Sequence, residues 1–272
     1  TTGDVTRFAT VDGEPDPGYF IGFVDAMNAL PTVQRGKVLA LQEMRLASGH
    51  RVLEIGCGTG DDARRIAAEV GPSGSVLGVD VSQAMVAEAR RRAEGTDLPV
   101  AFETGDARDL DAADASFDCV RAERVLIHLA DPLVGVVEMA RVTRPGGRVV
   151  LLDADFETLV AAHPDHVLLR RVVTLMTDGM PCGRVGRLLP ALLADAGLDE
   201  IKIDAIAVTD MPYDLVVPTF AGALTRPLAE GAITQHDLDR FWAGLEDTYK
   251  TGRYFLCCTF FIGVATKPTE GG

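Results

Sequence analysis

At 272 residues the chain has room for one large domain or for a domain carrying an inserted cap, and 47% hydrophobic residues suffice for a substantial core. Its net charge of −14 repels phosphate backbones, and no Lys/Arg stripe interrupted by aromatics relieves it, so nucleic acid is excluded as a partner. No apolar run reaches the ~20 residues of a membrane span, and the opening Thr1-Thr2-Gly3-Asp4-Val5-Thr6-Arg7 lacks a signal-like hydrophobic core, which points to a cytoplasmic protein.

In chain order, an N-terminal segment from Tyr19 to Leu46 reads as helical. The strand Arg51 to Ile55 then runs into a glycine turn that opens a helix over Asp61 to Val70. A second strand, Ser75 to Asp80, leads to Ser82, a natural N-cap for the helix Gln83 to Ala93, whose Arg90-Arg91-Arg92 cluster reads as an exposed face. Strands over Val100 to Thr104, Phe117 to Arg121 and Arg148 to Asp153 complete an alternation that predicts a parallel sheet with helices on both faces. Farther on lie two more strands, Glu200 to Val208 and Arg253 to Lys267, the latter rich in β-branched and aromatic residues. The long connections Phe156 to Gly197 and Thr209 to Gly252 hold helical patterns at Leu188 to Ala196 and at Asp237 to Tyr249, the second capped by Thr234. Connections of this length are seldom passive, and with the N-terminal segment they read as a helical cover.

The chemistry concentrates at Glu54-Ile55-Gly56-Cys57-Gly58-Thr59-Gly60. Glycines belong where the backbone takes positive φ or lets a ligand approach, and a helix N-terminus behind them favours an anionic group. Asp80, 20 residues beyond Gly60 at a strand end, is placed to bind both ribose hydroxyls of a nucleoside. A dinucleotide site wants a third glycine where this chain has Asp61, and that carboxylate, with Glu54, would repel a pyrophosphate. Acidic groups suit a cationic ligand instead.

Glu54-x-Gly56-x-Gly58-x-Gly60 resembles the first motif of the class I S-adenosylmethionine-dependent methyltransferases. Gly105-Asp106-Ala107, Ser116 to Val120, Arg121 to Leu129 and Arg141 to Arg148 resemble later motifs of the same family in the same order, and together they cover roughly residues 50 to 155. The resemblance is to the small-molecule branch, which includes ubiquinone-biosynthesis and natural-product enzymes. It implies an α/β, Rossmann-like, mostly parallel seven-stranded sheet with helices on both faces, a C-terminal antiparallel hairpin at its edge and a helical substrate cover. The implied division is a cap over residues 1–48, a cofactor core over 49–155, and cover helices with the last strands over 156–272. S-adenosyl-L-methionine is the implied cofactor, contacted by Tyr19, Glu54, Gly56, Cys57, Gly58, Asp80, Val81, Asp106, Ala107 and Arg121. Tyr19 is expected just before the first helix, and Arg121 to Leu129 as a helix after the fourth strand.

A sulfonium methyl is already activated, so alignment and exclusion of water do most of the work. A hydroxyl acceptor would benefit from a base, and His128 is the candidate; relatives often carry two adjacent histidines there, whereas Ile127 precedes it here. Tyr19, Phe20, Phe23, Met27, Met176, Met180, Met211, Tyr213, Phe220, Phe241 and Trp242 are apolar residues available either to line an acceptor cavity or to pack helices. Glu123, Arg124 and Arg35 are charged residues able to meet a ligand or to pair at a surface. His163 and His166 lack further ligands for a metal, and the five cysteines lack zinc spacing, so no metal is expected. The leading expectation is methyl transfer to an O, N or C nucleophile of a small, largely apolar metabolite by a monomer or homodimer. A cofactor-binding relative with another reaction, such as cyclisation, and a nicotinamide-dependent oxidoreductase are the alternatives.

Overall fold

The computed structural model describes residues 8–13 and 16–269; residues 1–7, which belong to the expected cap over 1–48, lie outside the described residues. Seven strands form one sheet: β1 (Arg51–Ile55), β2 (Ser75–Asp80), β3 (Val100–Thr104), β4 (Phe117–Glu123), β5 (Thr143–Ala161), β6 (Asp199–Val208) and β7 (Leu256–Thr266), in the order β3-β2-β1-β4-β5-β7-β6. The first five pair in parallel, while β7 lies antiparallel to both β5 and β6. Successive strands build outward from β1 to β3, then the chain crosses back to place β4 on the other side of β1. That reversal opens a crevice at the carboxyl ends of β1 and β4, where ligands of such sheets bind.

Helices cover both faces because the central strands are buried on both, as the burial of Val52, Leu53, Glu54 and Ile55 in β1 shows. One face carries α2 (Pro31–Met44), α3 (Asp61–Val70) and α4 (Gln83–Ala93), whose Ser82 hydroxyl accepts the Met85 amide as N-cap. The same buried cluster continues into α6 (His166–Gly179), α8 (Tyr213–Ala229) and α9 (Gln235–Lys250), while α1 (Pro17–Asn28) lies over the crevice. Thr234 caps α9 in a capping box with Asp237. The other face carries α5 (Pro132–Val142) and α7 (Val185–Asp195).

Two expectations require correction. Residues Arg121 to Leu129 do not form a helix: β4 continues to Glu123, Arg124 turns left-handed with φ 55°, and only a 3-10 turn follows at Leu126–His128. The helix waits until Pro132, whose fixed φ suits the first helical position and whose preceding Asp131 caps the Leu133 amide. The pattern at Leu188 to Ala196 belongs to α7, which packs on the sheet beside α5 and lies away from the cover. An amphipathic stripe marks a buried face without saying which surface buries it.

Candidate active site

The crevice widens into a cavity of about 420 Å³ between the carboxyl ends of β1, β2, β4 and β5 and the underside of α1. Its floor is the glycine turn. Gly56 has φ 66° and lies against Val125, and Gly60 has φ 75° with the Phe102 ring 2.6 Å from where a Cβ would stand, so side chains are excluded from both. Asp80 closes the floor. One of its oxygens accepts the Gly58 amide at 2.8 Å and the other the Ser82 amide at 2.9 Å, which leaves acceptor capacity on both. Burial pushes the Asp80 carboxyl up, against the pull of those amides. Beside it Val81 keeps 48% of its surface exposed, and Ala107 is buried across the cavity. Asp106 holds the Arg108 guanidinium and amide, and those bonds keep its carboxyl low.

Beneath the floor lies a buried ionic cluster. The register of β1 against β4 puts Glu54 beside Arg121. Arg121 has no exposed surface and holds Glu54, Glu123 and, at 3.2 Å, Asp62. Lys37 of α2 pairs with Asp62 and lies 3.0 Å from Glu123, which Arg124 meets at 3.2 Å. Three carboxylates thus face three cations, and partners of opposite charge are what make so deep an ionic group tolerable. Burial opposes the charge on Arg121, but Asp62, Glu54 and Glu123 outweigh it and keep the guanidinium strongly protonated. For Asp62, burial is outweighed by Arg121 and Lys37, and its carboxyl sits below the usual range. Glu54 goes the other way: burial raises it more than Arg121 lowers it, and its Oε2 is buried without a hydrogen-bond partner. Seven acidic side chains line the cavity against four basic ones, so it favours a cationic guest.

A profile described as a methyltransferase domain matches residues 52–147, the span from β1 to the turn inside β5. Methyltransferase GfsG of Streptomyces halstedii is 32% identical over 222 residues, which cover 79% of this chain and 76% of that protein. The chain belongs to the class I S-adenosylmethionine-dependent methyltransferases. A transposon-encoded protein of Streptomyces fradiae is 39% identical over 65% of this chain, which spans only about half of it, 51%. A demethylmenaquinone methyltransferase of Bacillus mycoides is 32% identical over 53% of this chain and 62% of its own length. Among solved structures, the [4+2]-cyclase SpnF superposes with a TM-score of 0.56 at 26% identity, covering 88% of this chain and 82% of that one.

Within this methyltransferase the structure gathers Glu54, Gly56, Cys57, Gly58, Asp80, Val81, Asp106, Ala107, Arg121 and His128 around one cavity. Arg121 is there as the hub of the carboxylates, with its guanidinium engaged by them. Tyr19 is not there. It lies inside α1, one turn before Phe23, and packs on the cluster of Val11, Phe20 and Met85 with its hydroxyl buried. Of the apolar residues available for a cavity, Phe23, Met27, Met180 and Met211 line it; Phe20, Met176, Phe220 and Phe241 are core, as helix packing demands. His163 stacks on Phe241 at 5.4 Å and its ring nitrogens face the carbonyls of Asp165 and Phe241, a structural role. Arg35 is exposed and away from the cavity.

Among the lining residues that the sequence reading does not single out are Lys37, Asp62 and Asp153. Each carried a signal. Lys37 interrupts the buried helical stripe Val33, Ala40, Leu41 and Met44, and Asp62 stands at the head of Ala63, Ile66, Ala67 and Val70. Asp153, like Asp80, closes an apolar strand run at the ligand edge.

Proposed function

We propose that the protein transfers a methyl group from S-adenosylmethionine to an oxygen, nitrogen or carbon nucleophile of a small, largely apolar acceptor. One observation carries this reading: a single cavity joins an acidic, glycine-lined floor to an apolar chamber walled by Phe23, Met27, Phe156, Met180, Met211 and Phe260. The floor fits the cofactor's parts. The free capacity on Asp80 suits two ribose hydroxyls, Val81 offers a bare apolar face to a purine, and Glu54 Oε2 is a buried acceptor in need of an ammonium donor. When bound, the cofactor supplies an electrophilic methyl group on a positively charged sulfur. The chain's own residues orient it, exclude water and present the acceptor, effects worth several kcal/mol through positioning. The three methionines come from α1, from the turn before α7 and from the segment before α8, and their unbranched side chains adapt to irregular ring systems. Resemblance to a demethylmenaquinone methyltransferase supports a ring-bearing acceptor. His128, at the end of the 3-10 turn and on the cavity wall, is the proposed base for a hydroxyl acceptor. We assign the cofactor to 49–155 and the acceptor chamber chiefly to 1–48 and 156–272, with α7 left outside the cover.

Calorimetry with S-adenosylmethionine tests the first half: wild type binds, and Asp80→Ala weakens binding at least tenfold, about 1.4 kcal/mol. No binding by the wild-type chain ends this reading. The likeness to a [4+2]-cyclase sustains a second one, in which the cofactor is bound but its methyl group stays in place. Formation of S-adenosylhomocysteine across a panel of quinol, phenol and polyketide acceptors separates the two, since cyclisation yields none.

A further inference from the structure

The buried carboxyl that the cofactor reading leaves without a task is Asp153. It follows Leu152, the register partner of Glu123, and so stands at the ligand edge of β5 with 1% of its surface exposed. Its Oδ2 accepts the Leu126 amide at 3.0 Å, while Oδ1 is buried, lacks a hydrogen-bond partner and belongs to a cavity-lining side chain. Among the described residues no ion pair joins it, whereas Glu54, Asp62 and Glu123 all hold cations. We propose, on the premise that S-adenosylmethionine binds this cavity, that Asp153 is its proton acceptor: it releases a proton when the sulfonium cation enters and takes up the acceptor's proton as the methyl group leaves.

The electrostatics support the sequence of events. Burial pushes the Asp153 carboxyl up to about 7 despite the Leu126 and Val125 amides, so near neutral pH the empty site holds a mixture of acid and carboxylate. The charged and titratable groups around it are Glu123 and Arg124 at the end of β4, His128 on the 3-10 turn, and Asp155 two residues along its own strand, which Arg187 of α7 neutralises. Cys182, in the loop before α7, is itself raised by burial and by Asp153. Arg124 and Glu123 oppose each other. A sulfonium carries its charge at every pH, and in a water-poor cavity it favours the ionised carboxyl. For a hydroxyl acceptor, the oxygen bonds to the methyl carbon, the carbon–sulfur bond breaks with its pair remaining on sulfur, and the acceptor's proton, drawn off by His128 as the immediate base, comes to rest on Asp153. One positive and one negative charge disappear together, leaving a neutral thioether beside a neutral acid.

Binding S-adenosylmethionine and S-adenosylhomocysteine to the full chain isolates the effect, because the two ligands differ in the sulfonium charge and share the amino-acid end. Calorimetry near pH 7 in buffers of different ionisation enthalpy counts protons. The expected result is that S-adenosylmethionine releases on the order of half a proton more than S-adenosylhomocysteine. The preference for the cation should also rise about tenfold from about pH 6 to about pH 8. Asp153→Asn, which preserves an acceptor for the Leu126 amide, abolishes both differences while His128 stays in place. Equal proton counts in the wild type, a flat preference, or a difference surviving in Asp153→Asn overturns the proposal. Should the variant fail to fold, the wild-type comparison still decides. Failure of both ligands to bind overturns the cofactor reading itself, and with it this inference.

Discussion

The floor and the cover of this cavity are built on opposite principles. The floor is polar and over-determined: Asp80 is pinned by two amides, Glu54, Asp62 and Glu123 share Arg121, and the glycine turn admits no side chain at Gly56 or Gly60. The cover is apolar and held by packing. Phe220, Phe241 and Trp242 interlock between α8 and α9, and adaptable methionines face the chamber. A floor fixed by directional bonds suits one invariant ligand, whereas a packed cover can be refitted to a new acceptor without disturbing the donor site.

The sharpest break of that contrast is Arg121→Met. It leaves three buried carboxylates facing only Lys37 and Arg124, and removing one partner of a buried ion pair costs about 3–5 kcal/mol. Urea unfolding followed by circular dichroism should show a loss of that size, with cofactor binding lost as well. Arg121→Met combined with Glu54→Gln should recover part of it by restoring the balance of two carboxylates and two cations. A loss below about 1 kcal/mol in the single variant would mean that the cluster is open to water and that the floor is no more rigid than the cover.

Asp153 sharpens the contrast through pH. Its carboxyl is raised in the fold to about 7 from an ordinary value of 3.8, so the folded state binds more protons than the unfolded chain between those values. The contribution to stability is therefore fully present below about pH 4 and is lost as pH rises through about 7. Between about pH 5 and pH 8 the wild type should lose about 2–3 kcal/mol relative to Asp153→Asn. Parallel stability curves for the two proteins would show that Asp153 is hydrated and ordinary.

The same division governs what the sequence reveals. Five parallel strands, the glycine turn, Asp80 and the Ser82 and Thr234 caps are legible because each is set by neighbours in the chain: a strand by its apolar run, a cap by the residues just after it. Lys37 and Asp62 escape because their importance lies in pairing across 25 residues, which no local pattern encodes. The segment Arg121 to Leu129 reads as helical until Arg124 adopts a left-handed backbone and Asp153, 27 residues away from Leu126, takes that residue's amide. Which apolar side chains face the chamber is equally hidden, since Met176 and Met180 differ by one helical turn in sequence and by core against cavity in space.

Floor and cover meet where Arg92 of α4 clamps Asp25 of α1, with two bonds of 2.8 Å and a third to Glu88. In sequence Arg90-Arg91-Arg92 reads as one exposed face, yet only Arg92 crosses to α1, while Arg91 pairs with Glu88 alone and Arg90 reaches the Phe102 carbonyl. Asp25 is 41% exposed at its side chain, so solvent screening keeps the pair modest even in fork geometry. Arg92→Ala should cost about 1 kcal/mol and speed S-adenosylhomocysteine release severalfold in stopped-flow experiments, because α1 carries Phe23, Val24 and Met27 over the cavity. Arg91→Ala, which removes a solvent-exposed side chain, should leave both stability and release unchanged. Equal effects from the two substitutions would show that the Arg92–Asp25 pair is no latch, and that α1 is held over the floor by its apolar side chains and by the 2.8 Å hydrogen bond from Arg124 to Asn28.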